Sequence, residues 1–189
     1  MIAVDGDQVV VAIVSDEGVI TGFATDDQGR FQAGEATATG HQYLSLGGVT
    51  RSDDGWVALG SGGLLDDEEL LFAVQAFRST DGRRWSALDA TGLDHPADVS
   101  GLVTVDDGLV AVGTLRTADD PAMGGFQPVA WHSPDGEHWT EVALPTDGRT
   151  EGSVQSVVAT EDEVLAVGSV DRSGVMWSST ATASLPCPP

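Results

Sequence analysis

The chain of 189 residues has no lysine and no asparagine. Its eight basic residues are all arginine, set against 30 acidic ones, and the formal net charge is −22. A surface this negative repels phosphate backbones and anionic lipid, so neither nucleic acid nor a membrane surface is an expected partner. The missing lysine and asparagine, both read from AT-rich codons, point to a GC-rich genome. Acidity without lysine also suits a salt-adapted protein. Cys187 stands alone in the run Leu185 to Pro189, which rules out an intrachain disulfide. No apolar run reaches the length of a membrane-spanning helix, so membrane insertion is not expected. Residues 1 to 20 alternate apolar and acidic types, unlike a signal peptide. Nowhere do apolar residues recur at i, i+3, i+4, i+7, so helices are not expected.

What the chain has is repetition. Ser79-Thr-Asp-Gly-Arg-Arg-Trp85 returns 54 residues later as Ser133-Pro-Asp-Gly-Glu-His-Trp139. A second phrase, Asp53-Asp-Gly-Trp-Val-Ala-Leu-Gly-Ser61, returns 53 residues later as Asp106-Asp-Gly-Leu-Val-Ala-Val-Gly-Thr114. It appears again, 55 residues on, as Glu161-Asp-Glu-Val-Leu-Ala-Val-Gly-Ser169. Near-constant spacing marks an internal repeat. The N-terminal stretch joins it in degenerate form. Val9 to Ser15 align with Gly55 to Ser61 at an offset of 46, and Phe23, Thr25, Asp27 and Phe31 align with Phe77, Ser79, Asp81 and Trp85. The expected units are about 1–40, 41–97, 98–150 and 151–189, within one domain spanning 1–189.

Each unit reads as strands: short β-branched and aromatic runs cut by Asp-Gly and Gly-Gly. In the third unit the strands are expected at Gly101 to Val105, Leu109 to Thr114, Val129 to Ser133 and His138 to Leu144. Four antiparallel strands per unit, repeated, describe a β-propeller blade. The expected fold is therefore all-β, a propeller of about four four-stranded blades. The small residues of Val57-Ala-Leu-Gly60 and its copies fit a strand near the axis. The ring is expected to be unusual at its ends. Ile2 to Val4 align with Gly48 to Thr50, the close of a first strand elsewhere. After Thr180 neither the Asp-Gly turn nor the tryptophan returns. Three arrangements fit: a piece of a longer propeller, a compact four-bladed ring, or two copies associating through open blade edges.

Ser79, Asp81, Gly82 and Trp85, with Ser133, Asp135, Gly136 and Trp139, resemble the Asp-box (BNR-like) repeat of sialidase-type propellers. That pattern is usually Ser-x-Asp-x-Gly-x-Thr-Trp, and both copies here are one residue shorter between Asp and Gly. The resemblance implies a hairpin device between third and fourth strands that takes no part in catalysis. The residues agree, because an aspartate carboxylate accepts backbone N–H bonds in a turn and the tryptophan covers the hairpin base. It also implies a cell-surface or secreted bacterial protein. Sialidase chemistry needs an arginine cluster, a Tyr–Glu pair and an acid/base aspartate. Tyr43 is the one tyrosine, Arg30, Arg51, Arg78, Arg83, Arg84, Arg116, Arg149 and Arg172 are scattered, and no Arg-Ile-Pro motif is present. No catalytic and no cofactor-binding residue is therefore assigned.

Metal chemistry has two candidates. His132 and His138 flank the turn holding Asp135 and Glu137 in a zinc-like set, but Arg78 and Arg84 fill those slots in the preceding unit. Asp66, Asp67, Glu68, Asp119 and Asp120 are loop carboxylates of the kind calcium takes, without an EF-hand pattern. Partner binding is expected at the long loops Gly62 to Leu71 and Arg116 to Gln127, through Leu64, Leu65, Leu70, Met123 and Phe126. Trp56 is the candidate sugar-stacking platform. The functional expectation is a non-catalytic binding or scaffold module for a protein or glycan partner. The alternative is a carbohydrate-active protein, either a lectin or a sialidase-like hydrolase.

Overall fold

The computed structural model of the chain describes residues 1–41, 43–66, 69–117, 125–149 and 151–180, with side chains described throughout except at 64–72 and 180. Every element among the described residues is a strand. The first sheet runs β1 (Ile2–Asp5), β2 (Gln8–Val14), β3 (Val19–Thr25), β4 (Phe31–Ala33), with β5 (Thr37–Ala38) also pairing to β3. The second runs β6 (Tyr43–Ser52), β7 (Gly55–Asp66), β8 (Glu69–Ser79), β9 (Ser86–Leu88). The third runs β10 (Ala97–Val105), β11 (Gly108–Arg116), β12 (Phe126–Ser133), β13 (Thr140–Ala143). The fourth has three strands among the described residues: β14 (Gly152–Ala159), β15 (Glu163–Val170), β16 (Ser173–Thr180). All neighbours within a sheet are antiparallel. No helix long and apolar enough to cross a membrane occurs among the described residues.

The sheets are propeller blades. Their first strands adjoin in sequence order, β1 beside β6, β6 beside β10 and β10 beside β14. No element of the first sheet packs along the fourth among the described residues, so the four blades form an open arc rather than a compact ring. Apolar packing is organised by junction. One buried cluster joins blades 1 and 2 around Val10, Ile20, Trp56 and Phe77. A second joins blades 2 and 3 around Leu59, Val74, Trp131 and Trp139. A third joins blades 3 and 4 around Val112, Ala130, Val164 and Trp177. The sheets of blades 2 and 3 are apolar on both faces because both face a neighbour, which is why their strands read as apolar runs rather than clean alternation.

The Val57-Ala-Leu-Gly60 phrase and its two later copies lie on the second strands of blades 2, 3 and 4, where the repeat unit placed them. Its glycine answers a bulge. The first strands carry register shifts at Leu46/Gly48, Val99/Gly101 and Val154/Ser156. The bulged strand presses the carbonyls of Ser45, Asp98 and Ser153 onto Gly60, Gly113 and Gly168, where a Cβ would overlap them.

Blade 1 corrects the sequence alignment by one residue. Asp5 pairs with Gln8 across the first turn, as Ser52 pairs with Gly55. The structural offset is thus 47 rather than 46, and Val14, not Ser15, stands at the Ser61 position. Ser15 instead sits in the β2–β3 turn, where its Oγ accepts the N–H groups of Glu17 and Val19 at 3.3 Å each. The repeat is faint here, and a one-residue slip in a strand exchanges its two faces.

Candidate functional site

The hairpin phrase is built around one carboxylate oxygen. Asp135 Oδ1 accepts the backbone N–H groups of Glu137 and His138, each at 2.8 Å, and the Ser133 hydroxyl at 3.2 Å. Ser133 Oγ in turn accepts the N–H of Gly136 at 2.8 Å, and Trp139 Nε1 donates to Gly136 O at 2.9 Å. Asp81 repeats the pattern with Arg83, Arg84 and Ser79. The His138 N–H beside Asp135 holds its carboxyl well below the usual carboxylate range. Partial burial opposes the same effect at Asp81, but the N–H donors of Arg84 and Arg83 prevail and its pKa is lowered. In blade 1 the role falls to Asp26, which accepts from Gln28 and Arg30, not to the aligned Asp27.

The phrase works between blades as well as within its hairpin. Gly82 lies against Val10 of blade 1, and Gly136 against Val57 of blade 2, each on the second strand of the preceding sheet. Trp85 and Trp139 are buried in the same junctions and cover far more than their own hairpin bases. Gly22 has no room for a Cβ because the Trp85 ring and the Gly82 and Arg83 carbonyls occupy the space. The second phrase also crosses a junction. Ser61 Oγ accepts the N–H of Val99 in the bulge of the next blade at 2.8 Å, and Thr114 Oγ1 accepts that of Val154 at 3.3 Å. Sequence reading missed this role, although the hydroxyl at the end of each copy was its signal.

A cleft of about 360 Å³ opens where blades 2 and 3 meet. Its walls are the β6–β7 turn (Ser52, Asp53, Asp54), the end of β10 with the β10–β11 turn (Thr104, Asp106, Asp107), and Asp135 from the third hairpin. A smaller extension of about 50 Å³ shares Ser52, Asp54 and Asp135 and adds Arg78 and Glu137, which pair at 3.4 Å. Successive antiparallel strands turn at alternate ends, so this cleft lies at the opposite side of the sheets from the Asp66 end of β7 and the Arg116 end of β11. The aspartates that read as turn residues therefore combine across blades, which separation in sequence concealed.

Among the described residues the other candidates do not assemble. Trp56 is 1% exposed, and the Arg51 guanidinium lies 5.4 Å from its ring centre, so it offers no stacking face. His132 Nε2 lies 3.5 Å from Asp107, while His138 Nδ1 meets Asp135 at 2.7 Å, so the two histidines serve different carboxylates. Among the described residues no three His, Cys, Asp or Glu side chains converge as a metal site. Asp67, Glu68, Asp119, Asp120 and Met123 lie outside the described residues, as does the side chain of Asp66. Leu64, Leu65 and Leu70 are not on a loop: β7 and β8 extend through them, with Leu65 opposite Leu70. Apolar runs on both sides of a short acidic stretch close on each other as a hairpin. Phe126 opens β12 and is partly exposed. Tyr43 is exposed at the start of β6. Arg30, Arg51, Arg78, Arg83, Arg116 and Arg149 each pair with a different carboxylate.

No family model and no curated protein matches the chain. Solved structures do resemble it. An N-acetylgalactosamine deacetylase from F. plautii, in complex with blood group B trisaccharide, aligns over 88% of this chain and 61% of its own, at 12% identity and a TM-score of 0.50. A GH43 endo-arabinanase from Bacillus licheniformis aligns over 95% and 71%, at 8% identity and a TM-score of 0.46. A glycosyl hydrolase from Bacteroides ovatus aligns over 91% and 64%, at 10% identity and a TM-score of 0.40. The chain thus spans about three-fifths to seven-tenths of their lengths. At such identities the likeness extends to the fold alone, and with the blade topology it makes this chain an arc of four β-propeller blades.

Proposed function

We propose that the chain is a non-catalytic carbohydrate-binding module whose hairpins are shortened Asp-boxes. The observation that carries the reading is the polar cleft between blades 2 and 3, with five aspartates, one serine and one threonine among its lining residues. Carboxylates and hydroxyls in an open cleft accept hydrogen bonds from sugar hydroxyls. The charge of the walls and of the whole chain selects among sugars: neutral and amino sugars fit, and uronates and sialic acid are repelled. The fold shared with the F. plautii deacetylase, itself bound to a trisaccharide, supports a carbohydrate as ligand.

Hydrolysis is a poorer fit. A glycosidase needs a carboxylic acid kept protonated by a raised pKa. Among the described residues, the turn N–H groups that bond Asp26, Asp81 and Asp135 hold these carboxyls below their usual range, the direction opposite to that of a general acid. The paired arginines are dispersed, each on a different carboxylate, rather than clustered to clamp an anionic sugar.

Saturation-transfer NMR with neutral oligosaccharides, amino sugars and uronates tests the reading. Saturable binding of a neutral or amino sugar is expected, weakened by the Asp54→Asn/Asp107→Asn pair, with no sugar released on incubation. Failure of every sugar to bind up to about 10 mM, where even a contact of roughly 3 kcal/mol would register, overturns it.

A further inference from the structure

The two ends of the arc carry the two halves of the junction that repeats inside it. At the first two internal junctions a hairpin aromatic from one blade packs on the second and third strands of the blade before it. Trp85 does so on blade 1 and is 3% exposed, and Trp139 does so on blade 2 and is 5% exposed. Phe31 occupies the same slot in the hairpin of blade 1, and it is 53% exposed.

At the other end the receiving surface is bare. The strand register defines it. Ala12 opposite Gly22 in blade 1 corresponds to Leu59 opposite Ala76 in blade 2 and Val112 opposite Ala130 in blade 3. These positions are buried under the following blade. The corresponding pair in blade 4 is Val167 opposite Met176, at 44% and 67% exposed. Val158 lies exposed on the same face, two residues from Ser156, the partner of Val167.

We infer that two copies of this chain associate head to tail, with Phe31 of each seated on the Val167–Met176 face of the other. Three observations choose a second copy as the occupant. The chain itself carries both complementary halves, one at each end. The sizes compensate: Trp85 meets Gly22 without room for a Cβ, whereas the smaller Phe31 would meet the larger, adaptable Met176. A head-to-tail contact closes when the rotation completes a circle, and two arcs of four blades make eight, within the roughly four to eight blades of closed propellers. The contact uses blade faces, not the strand edges to which sequence reasoning assigned self-association.

Sedimentation equilibrium of the 189-residue chain tests the inference. A species of twice the 19.5 kDa chain mass is expected. Phe31→Asp and Met176→Asp, both at exposed positions, are each expected to give monomers with unchanged far-UV spectra. Mixing these two variants should restore pairing, because one intact face remains on each. A wild-type monomer at every concentration, as results if another polypeptide supplies the missing blades, overturns the inference. So does an open series of polymers. A dimer that survives either substitution, or a mixture that stays monomeric, overturns the head-to-tail geometry.

Discussion

Gly82→Ala isolates what the hairpin glycine does between blades. Its φ is 72°, a left-handed conformation that costs an L-residue about 1–2 kcal/mol. Gly29, in the hairpin of blade 1, has the same φ of 72° with nothing within 4 Å of an added Cβ. Gly29→Ala therefore measures the backbone cost alone, about 1 kcal/mol. At Gly82 the added methyl would overlap Val10 Cγ2 on the neighbouring blade, and Val10 is fully buried. Overpacking of a filled core adds about 1–3 kcal/mol, so the expected total is about 3 kcal/mol. Gly136→Ala falls between, since its Cβ would lie 3.2 Å from Val57 Cγ2. For a chain of this size each kcal/mol lowers Tm by about 2–4 °C. Thermal unfolding should therefore shift by roughly 2–4 °C for Gly29→Ala and by roughly 6–12 °C for Gly82→Ala. Equal shifts would refute the reasoning and reduce the glycine to a turn residue.

Three further outcomes are expected. Trp139→Phe keeps most of the junction packing but loses the 2.9 Å bond to Gly136 O, costing about 1 kcal/mol, whereas Trp139→Ala costs about 3–5 kcal/mol in urea unfolding. The hydrogen bond to Asp135 raises the His138 pKa, so an NMR titration should place its midpoint above the usual value of about 6.5. Its stabilising effect is complete below that value and is lost as pH rises through the raised pKa, while the lowered pKa of Asp135 adds stability that fades as acid reaches it. The Tm difference between wild type and His138→Gln should accordingly shrink above about pH 6.5, and a constant difference would contradict the assignment. Ser61→Ala strands the half-buried N–H of Val99 across a junction and should cost about 1–3 kcal/mol, against about 0.5 kcal/mol or less for Ser169→Ala, whose hydroxyl meets the Ser153 hydroxyl at 3.3 Å within its own blade.

The blades were readable because their markers are local. Ser79 to Trp85 and Ser133 to Trp139 announce hairpins, and fixed spacing between them announces a repeating sheet. What the markers do for the whole arc was not readable. Trp139 looks like a cover for its own hairpin until Val57 and Leu59 are seen beneath it, some 80 residues earlier in the chain. Ser61 and Val99 meet for the same reason, and so do the aspartates of the cleft, which come from three turns on two blades. Trp56 misled because exposure depends on the neighbouring blade, not on the strand that carries it. The Leu64 to Leu70 stretch misled because acidic residues mark a turn without saying how far the strands continue around it. Phe31 aligned correctly with Trp85, yet only the open end of the arc shows that it has nothing to cover.

The central claim is that the repeated phrases fasten one blade to the next, and a double-mutant cycle between Gly82 and Val10 tests it most directly. These residues belong to different blades, and their only proposed relation is the contact across the junction. Val10→Ala removes the methyl groups that the alanine at position 82 would strike. The double variant is expected to be more stable than the sum of the single losses by about 1–2 kcal/mol, within the range of coupling between touching residues. Losses that add to within about 0.3 kcal/mol would show that the hairpin and the preceding blade act independently, and would contradict the account.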